Sequence, residues 1–398
     1  MSSPRTPAGQ QTVRRHNLSL ITCSVATAPS SRAELALRTG LTKATVSSLV
    51  DTLLAHGILI EGAAPSARVG RPARPVSLNP DGPVALGVEI NVDYLAGCLL
   101  NLPGQLRAHR QVMVDNRQRS ATEMVAQLSE LCVELRADCG ADLIAGALAV
   151  PGVVGLDRTV LRAPNLPALT GTRPGDQLAD LLGIEQLQLD KLQLDKFQLD
   201  NEANYGALGW LRSVPAADRD FVYVSGEIGV GAGLVVDGNL FRGVSGFAGE
   251  LGHVVVDRAG PRCSCGGSGC VEQYAGQDVL LRRAGARDPA ALEAAVAAGD
   301  PAALAAVEQA GAALGVGLAS LLNVLDLPAI VLGGLYARLF DALTPSLLAE
   351  LEPRVLAGPG IRLLRSTLGG DAAVRGAAGA VLDRVLLDPT TAIGAAEL

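Results

Sequence analysis

Residues 246–272 read GFAGELGHVVVDRAGPRCSCGGSGCVE, and no other stretch of the chain restricts its fold as tightly. These 27 residues hold one imidazole nitrogen and three thiols, from His253, Cys263, Cys265 and Cys270, together with the carboxylates of Glu250 and Glu272. A nitrogen and three thiolates are the donor set of a closed, tetrahedral structural zinc site. Gly266, Gly267 and Gly269 let the backbone turn tightly around an ion. The stretch therefore predicts one zinc per chain. Two other readings use the same residues: three free cysteines beside an unrelated histidine, or a disulfide pair, which needs an oxidising compartment. Residues 1–10 are polar and lack the apolar core of an export signal, which predicts a reducing, cytoplasmic setting. Cys23, Cys98, Cys132 and Cys139 are scattered, as small core residues are.

With 398 residues, 48% of them hydrophobic and 18% charged, the chain has enough apolar material for two or three globular domains. Its longest apolar run, residues 311–322, is broken by Asn323 and Asp326 before reaching membrane-spanning length, so no membrane segment is expected. The charge is unevenly divided. Through Leu78 nine Lys and Arg face three acids, a balance of +6, which leaves −13 for the rest of a chain whose total is −7. A basic head on an acidic body predicts that only the head meets a polyanion.

In that head, residues 13–27 place Val13, Leu18, Ile21 and Val25 on roughly one helical face. Ser31 stands three residues before Glu34, a capping-box pattern, and Gly40 is a natural helix end. A third helix, residues 42–56, turns Val46, Leu49, Val50, Leu53 and Leu54 inward, with Thr42 as its cap and Lys43, Thr45, Ser47 and Ser48 on its polar N-terminal face; Thr42, Lys43, Thr45 and Ser47 are the expected DNA contacts. The pattern resembles a helix-turn-helix whose second helix enters the major groove. Residues 58–61 and 75–78 read as two strands around a Gly/Pro/Arg loop, similar to the wing of a winged helix, with Arg68, Arg71 and Arg74 in reach of phosphates.

Gly249-Glu250-Leu251-Gly252-His253, the Cys-x-Cys-x4-Cys after it and Glu272 resemble the signature of the ROK family of sugar kinases and sugar-responsive repressors. The resemblance extends over about residues 13–381. It implies an α/β, two-lobed actin-like (ribonuclease H-like) sugar-kinase fold behind the winged helix-turn-helix. The head would be residues 1–80, the smaller lobe 81–200 and the larger lobe, with the metal site, 201–398; a closing helix at 372–387 is free to return to the smaller lobe. It also implies sugar contacts from Asn165 in APNLP, from Asn201 and Glu202 in DNEAN, and from Glu250, His253 and Glu272, with His253 shared between sugar and zinc. Glu202 falls at the position of the kinases' general base.

Both phosphate loops of the family are altered. In the first hairpin, an Asp and a Gly-Gly-Thr turn of the kinases are replaced by Glu89, Asn91, Val92 and Asp93, placing side chains and an added charge where phosphate would sit. In the second, SGEIGVGAGL, Glu227 and Ile228 replace a Gly-Thr pair. Catalysis is therefore not expected. The late Gly333-Gly334 turn supports the fold and says little about nucleotide. One low-complexity run, residues 186–200, repeats a five-residue unit whose odd period flips its apolar face, so a single unit, the last, is expected to enter a sheet. The reading is a sugar-responsive regulator, a repressor, with zinc, operator DNA and a sugar as partners and a homodimer or homotetramer as its state. The competing readings are a sugar kinase with an N-terminal extension and a zinc-stapled scaffold.

Overall fold

The computed structural model describes residues 9–62, 74–183, 197–215, 218–356 and 360–393. Arg68, Arg71 and the first two repeat units lie outside them.

The head opens with α1 (Gln10–Thr27), then β1 (Ser30–Ser31), α2 (Arg32–Thr39), α3 (Lys43–Ala55), β2 (Leu59–Glu61) and β3 (Pro75–Leu78). Each start and stop follows from a cap. Ser31 and Glu34 form a reciprocal capping box, Gly40 ends α2 with a left-handed φ of 72°, and the Thr42 hydroxyl accepts from the Thr45 N–H. β3 pairs antiparallel with β2 as expected and also with β1, whose two residues are too short for an alternation pattern to show. Leu18, Ile21 and Val25 are buried as predicted, whereas Val13 is 47% exposed, because α1 begins at Gln10 and its first turns overhang the core.

The body repeats one topology twice. β4 (Val84–Ile90), β5 (Tyr94–Asn101) and β6 (Leu106–Met113) form an antiparallel meander, and α4 (Ala121–Cys139) leads to β7 (Leu143–Val150), parallel to β4. The hairpin β8 (Val153–Val154) and β9 (Val160–Arg162) and the helix α5 (Pro174–Leu181) precede β10 (Phe197–Asn201), parallel to β7. The final repeat unit thus enters the sheet with Phe197 and Leu199 buried.

After α6 (Glu202–Ser213) the second sheet follows the same plan. β11 (Phe221–Ser225), β12 (Gly231–Val236) and β13 (Asn239–Leu240) form the meander. Helices α7 (Glu272–Ala275), α8 (Gln277–Ala284), α9 (Pro289–Ala297) and α10 (Pro301–Leu325) lead to β14 (Ala329–Leu332), parallel to β11. Then α11 (Gly334–Arg338) and α12 (Phe340–Leu351) precede β15 (Arg362–Arg365). Numbered within itself, each sheet has the strand order 3-2-1-4-5. This duplicated mixed sheet is the actin-like architecture. α10 is long and apolar enough to cross a membrane, yet its Ala, Gly and Leu face packs on α8 and α12 within the second sheet's core.

The last long helix, α13 (Ala372–Leu387), returns to the first sheet and lies on β4, β5 and β7 and on α6. Its far end meets the head. The Thr22 hydroxyl donates to the Leu386 carbonyl at 2.6 Å, and Arg15 pairs with Asp388 at 3.0 Å. Leu18, Ile21 and Val25 of α1 join Val381, Leu382 and Val385 of α13 in one apolar cluster that continues to Ala85, Ala147 and Tyr205. Burying each Leu or Ile contributes about 1.5–3 kcal/mol, so the head is held to the body by core packing.

Candidate functional site

The metal ligands come together on a short knuckle. A 3-10 turn, Leu251–His253, presents His253, and a tight loop presents the cysteines, with the Cys263 N–H donating to the Gly267 carbonyl at 2.9 Å and a bridge joining Arg262 to Ser268. Gly249, at φ 98° and close against the Ala232 carbonyl, permits the chain to enter the turn. His253 Nδ1 is 3.7 Å from Cys263 Sγ, Cys265 Sγ is 3.6 Å from Cys270 Sγ, and all four donor atoms lie within 4.8 Å of one another. Zinc–sulfur bonds of about 2.3 Å imply tetrahedral edges of about 3.8 Å, so this donor set fits a metal. All seven cysteines are free.

The knuckle forms one wall of a cleft of ≈ 280 Å³. That volume lies at the small end for ligand pockets, about 300–1,000 Å³. Asn165, Asn201, Glu202, Glu250, His253 and Glu272 all line it. Their availability differs. Asn165 makes no side-chain hydrogen bond among the described residues. With Nδ1 turned to the thiols, His253 Nε2 sits 3.9 Å from Glu250. Burial raises the Glu250 carboxyl above the usual carboxylate range, partly offset by His253. Glu272 accepts from the Val230 N–H at 3.3 Å. Asn201, by contrast, is committed to the scaffold: its carbonyl oxygen caps α6 at the Ala203 N–H, and its amide donates to the Gly152 carbonyl at 3.0 Å and to Glu202 at 2.7 Å.

Sequence reasoning missed three residues here. Asp200, nearly buried, accepts from Arg242 at 2.6 Å and from Asn204 at 2.7 Å, tying the loop before Gly246 to the start of α6. Asn91 is buried and lines the cleft. Phe247 is 52% exposed at its mouth and is the only Phe, Tyr or Trp among the described residues lining it. A phenylalanine inside a Gly-rich motif was the available signal.

At the cleft's other end the altered phosphate loops are filled. Glu89 is 1% exposed; its Oε1 accepts from Tyr94 at 3.0 Å and from Asn91 at 3.1 Å, while its Oε2 has no partner. Burial and the nearby Glu227 charge push its carboxyl up to about 8. Glu227 rises to about 7 through burial, moderated by Arg338, and its carboxylate lies against Gly334, whose missing side chain and φ of 54° leave the room. Glu202 is raised as well, by burial and then by Glu89, Glu250 and Glu227, against the lowering effect of its own backbone N–H. One expectation fails. Asp93 adds no charge to this end, because it turns outward and pairs with Arg117 at 2.6 Å, and Val92 is core.

On the head, Thr42, Lys43 and Ala44 are exposed at the start of α3, and Thr45 and Ser47 are half-buried. Arg32 of α2 donates to the Ser47 backbone carbonyl at 3.3 Å, and Ser48 beside it is exposed. Much of the head's positive charge is tied down internally. Arg14 bonds Thr52, Arg15 pairs with Asp388, Arg32 with Asp51 and Glu61, and Arg74 approaches Glu61 at 3.8 Å.

The head, the duplicated sheets and the polar cleft define a DNA-binding regulator built on a sugar-kinase-like body. The ROK family pattern matches residues 85–384, and an IclR helix-turn-helix domain matches residues 25–60. A xylose repressor of Bacillus subtilis (strain 168) is 30% identical over 390 residues, spanning 95% of this chain and 98% of that protein. In fold, the chain is similar to a ROK family transcriptional regulator described as a homolog of the E. coli MLC protein, with a TM-score of 0.76 at 22% identity, covering 96% of this chain and 99% of that one. A ROK glucokinase from Streptomyces griseus, in complex with glucose and AMPPNP, aligns with a TM-score of 0.63 at 24% identity over 74% of this chain and 98% of that one. The chain belongs to the ROK family, in its transcriptional-regulator branch.

Proposed function

We propose that the protein is a sugar-responsive transcriptional repressor that binds a symmetric operator as a homodimer or homotetramer and has no kinase activity. Residues 1–80 are the DNA-binding head, 81–200 the smaller lobe and 201–398 the larger lobe. The observation that carries the reading is the contrast within one cleft: its polar wall is complete, while its phosphate end is closed by Glu89 and Glu227. A zinc held by His253, Cys263, Cys265 and Cys270 would fix that wall. With Nδ1 on the metal, the His253 Nε2–H points a donor at a sugar hydroxyl. Asn165, Glu250 and Glu272 supply the remaining polar contacts, and Asn201 and Glu202 the cleft floor. The similarity to a xylose repressor makes xylose the first sugar to test.

Glu202 occupies a base position, but phosphoryl transfer depends on holding the ATP phosphates, so a base without a phosphate loop has nothing to activate against. Operator sites selected from random DNA should bind the full chain with a steep salt dependence. Sugar should change that affinity, and Lys43→Ala should weaken it with the body's fold intact; affinity indifferent to every sugar would refute the proposal. Sugar-dependent ATP turnover of about 1 per second or more, lost in Glu202→Gln, would establish the kinase reading instead.

A further inference from the structure

The cleft also specifies which sugars it admits, an inference that rests on the sugar-effector reading above. We propose that the effector is a free monosaccharide bearing no anionic group, and that phosphate esters and uronic acids are excluded. Four carboxylates, Glu202, Glu227, Glu250 and Glu272, line the cleft. The one arginine or lysine among its described lining residues is the exposed Arg162, which gives one hydrogen bond to the Ser264 carbonyl at 3.1 Å and whose charge acts on Glu250.

Beyond Glu202 the space shrinks to ≈ 10 Å³. That is room for about one water. Its described lining includes Glu89, Glu202, Glu227, Tyr94 and Tyr223 and no arginine or lysine. Phosphate sites are built from arginine forks, lysines or rows of free backbone N–H groups. Here the Val230 N–H of the glycine-rich loop is already taken by Glu272.

A phosphate dianion entering this end would lose its water beside the buried carboxyl groups of Glu89, Glu202 and Glu227, with no arginine or lysine in the described lining to replace it. An uncharged ring meets no such obstacle. Its hydroxyls find carboxylates, Asn165 and His253, and its C–H face finds the exposed ring of Phe247, the one aromatic side chain among the cleft's described lining residues. The same wall that removes the nucleotide thereby separates a sugar from its phosphorylated product.

The test is calorimetric titration of the full-length protein with xylose, glucose, mannose, glucosamine and N-acetylglucosamine, and with xylose 1-phosphate, glucose 6-phosphate, mannose 6-phosphate, glucosamine 6-phosphate, N-acetylglucosamine 6-phosphate and glucuronate. We expect at least one free sugar to bind, and its charged counterpart to bind at least ~100-fold more weakly, about 2.7 kcal/mol. A phosphate ester that binds as tightly as its parent sugar would overturn the inference while upholding the sugar-effector reading. Binding by no compound in either set would overturn both. In Glu89→Gln/Glu227→Gln the gap should narrow by about 10-fold; an unchanged gap would show that these carboxylates do not cause the exclusion.

Discussion

The two ends of the cleft, the Gly-rich knuckle and the loops that leave the buried strands β4 and β11, have opposite fates. At the knuckle end the glycines hold a compact loop whose polar groups remain available: Asn165 has no side-chain partner among the described residues, and His253 turns Nε2 away from the thiols. At the phosphate end Glu227 fills space against Gly334, and the buried Glu89 accepts from Asn91 and Tyr94. On the proposed reading, the difference teaches which demands a site makes when it only binds. Catalysis needs groups that act on the transition state, whereas an effector site needs ground-state contacts alone. A fold can therefore fill one end of its cleft without touching the other.

The comparison breaks most completely if the knuckle loses its metal. Cys265→Ser should drop bound zinc well below one per chain and abolish the response of DNA binding to sugar, because Cys265 itself lines the cleft. Metal analysis paired with operator titrations checks this, and a full sugar response in a zinc-free variant would contradict it. A smaller effect is expected at the mouth. Phe247→Ala should weaken sugar binding by about 10-fold, or roughly 1.4 kcal/mol, with zinc content and operator affinity unchanged and with Phe247→Tyr restoring the loss. Affinity unchanged in Phe247→Ala would remove the ring from the site.

The smallest effect sharpens the other end. Glu89 ionises at 4.5 in an ordinary setting and at about 8 in the fold. Within that window the folded protein keeps a proton that the unfolded chain gives up, so the contribution is full below 4.5 and is lost as pH rises through about 8. Glu89→Gln should flatten this dependence and, at the alkaline end, make the protein at least ~1 kcal/mol more stable, a rise in melting temperature of about 2–4 °C. Equal pH slopes for the two proteins would show that Glu89 is ionised in the fold.

How far these features can be read from the sequence depends on the distance between partners. The knuckle was legible because ligands, glycines and flanking carboxylates are all local, and the helix caps of the head were legible for the same reason. The entry of the last repeat unit into the sheet followed from strand parity and its junction with Asn201. Asp93 was misjudged because the arginine that captures it lies 24 positions away. Nothing near Asn201 announces that the Gly152 carbonyl, 49 positions away, takes its amide. The contact of head and closing helix, between Thr22 and Leu386, spans 364 positions and leaves no local trace.

That last contact has a thermodynamic consequence. Since α1 and α13 share one apolar cluster, and α13 lies along the helix that begins with Glu202, the operator and the sugar act on a single packed body and not on two tethered ones. Linkage then runs both ways: the factor by which sugar alters the grip on DNA is the factor by which DNA alters the grip on sugar. In a cell, a molecule seated on its operator reports a different sugar concentration from one that is free. The dose at which the gene responds is set by that bound population.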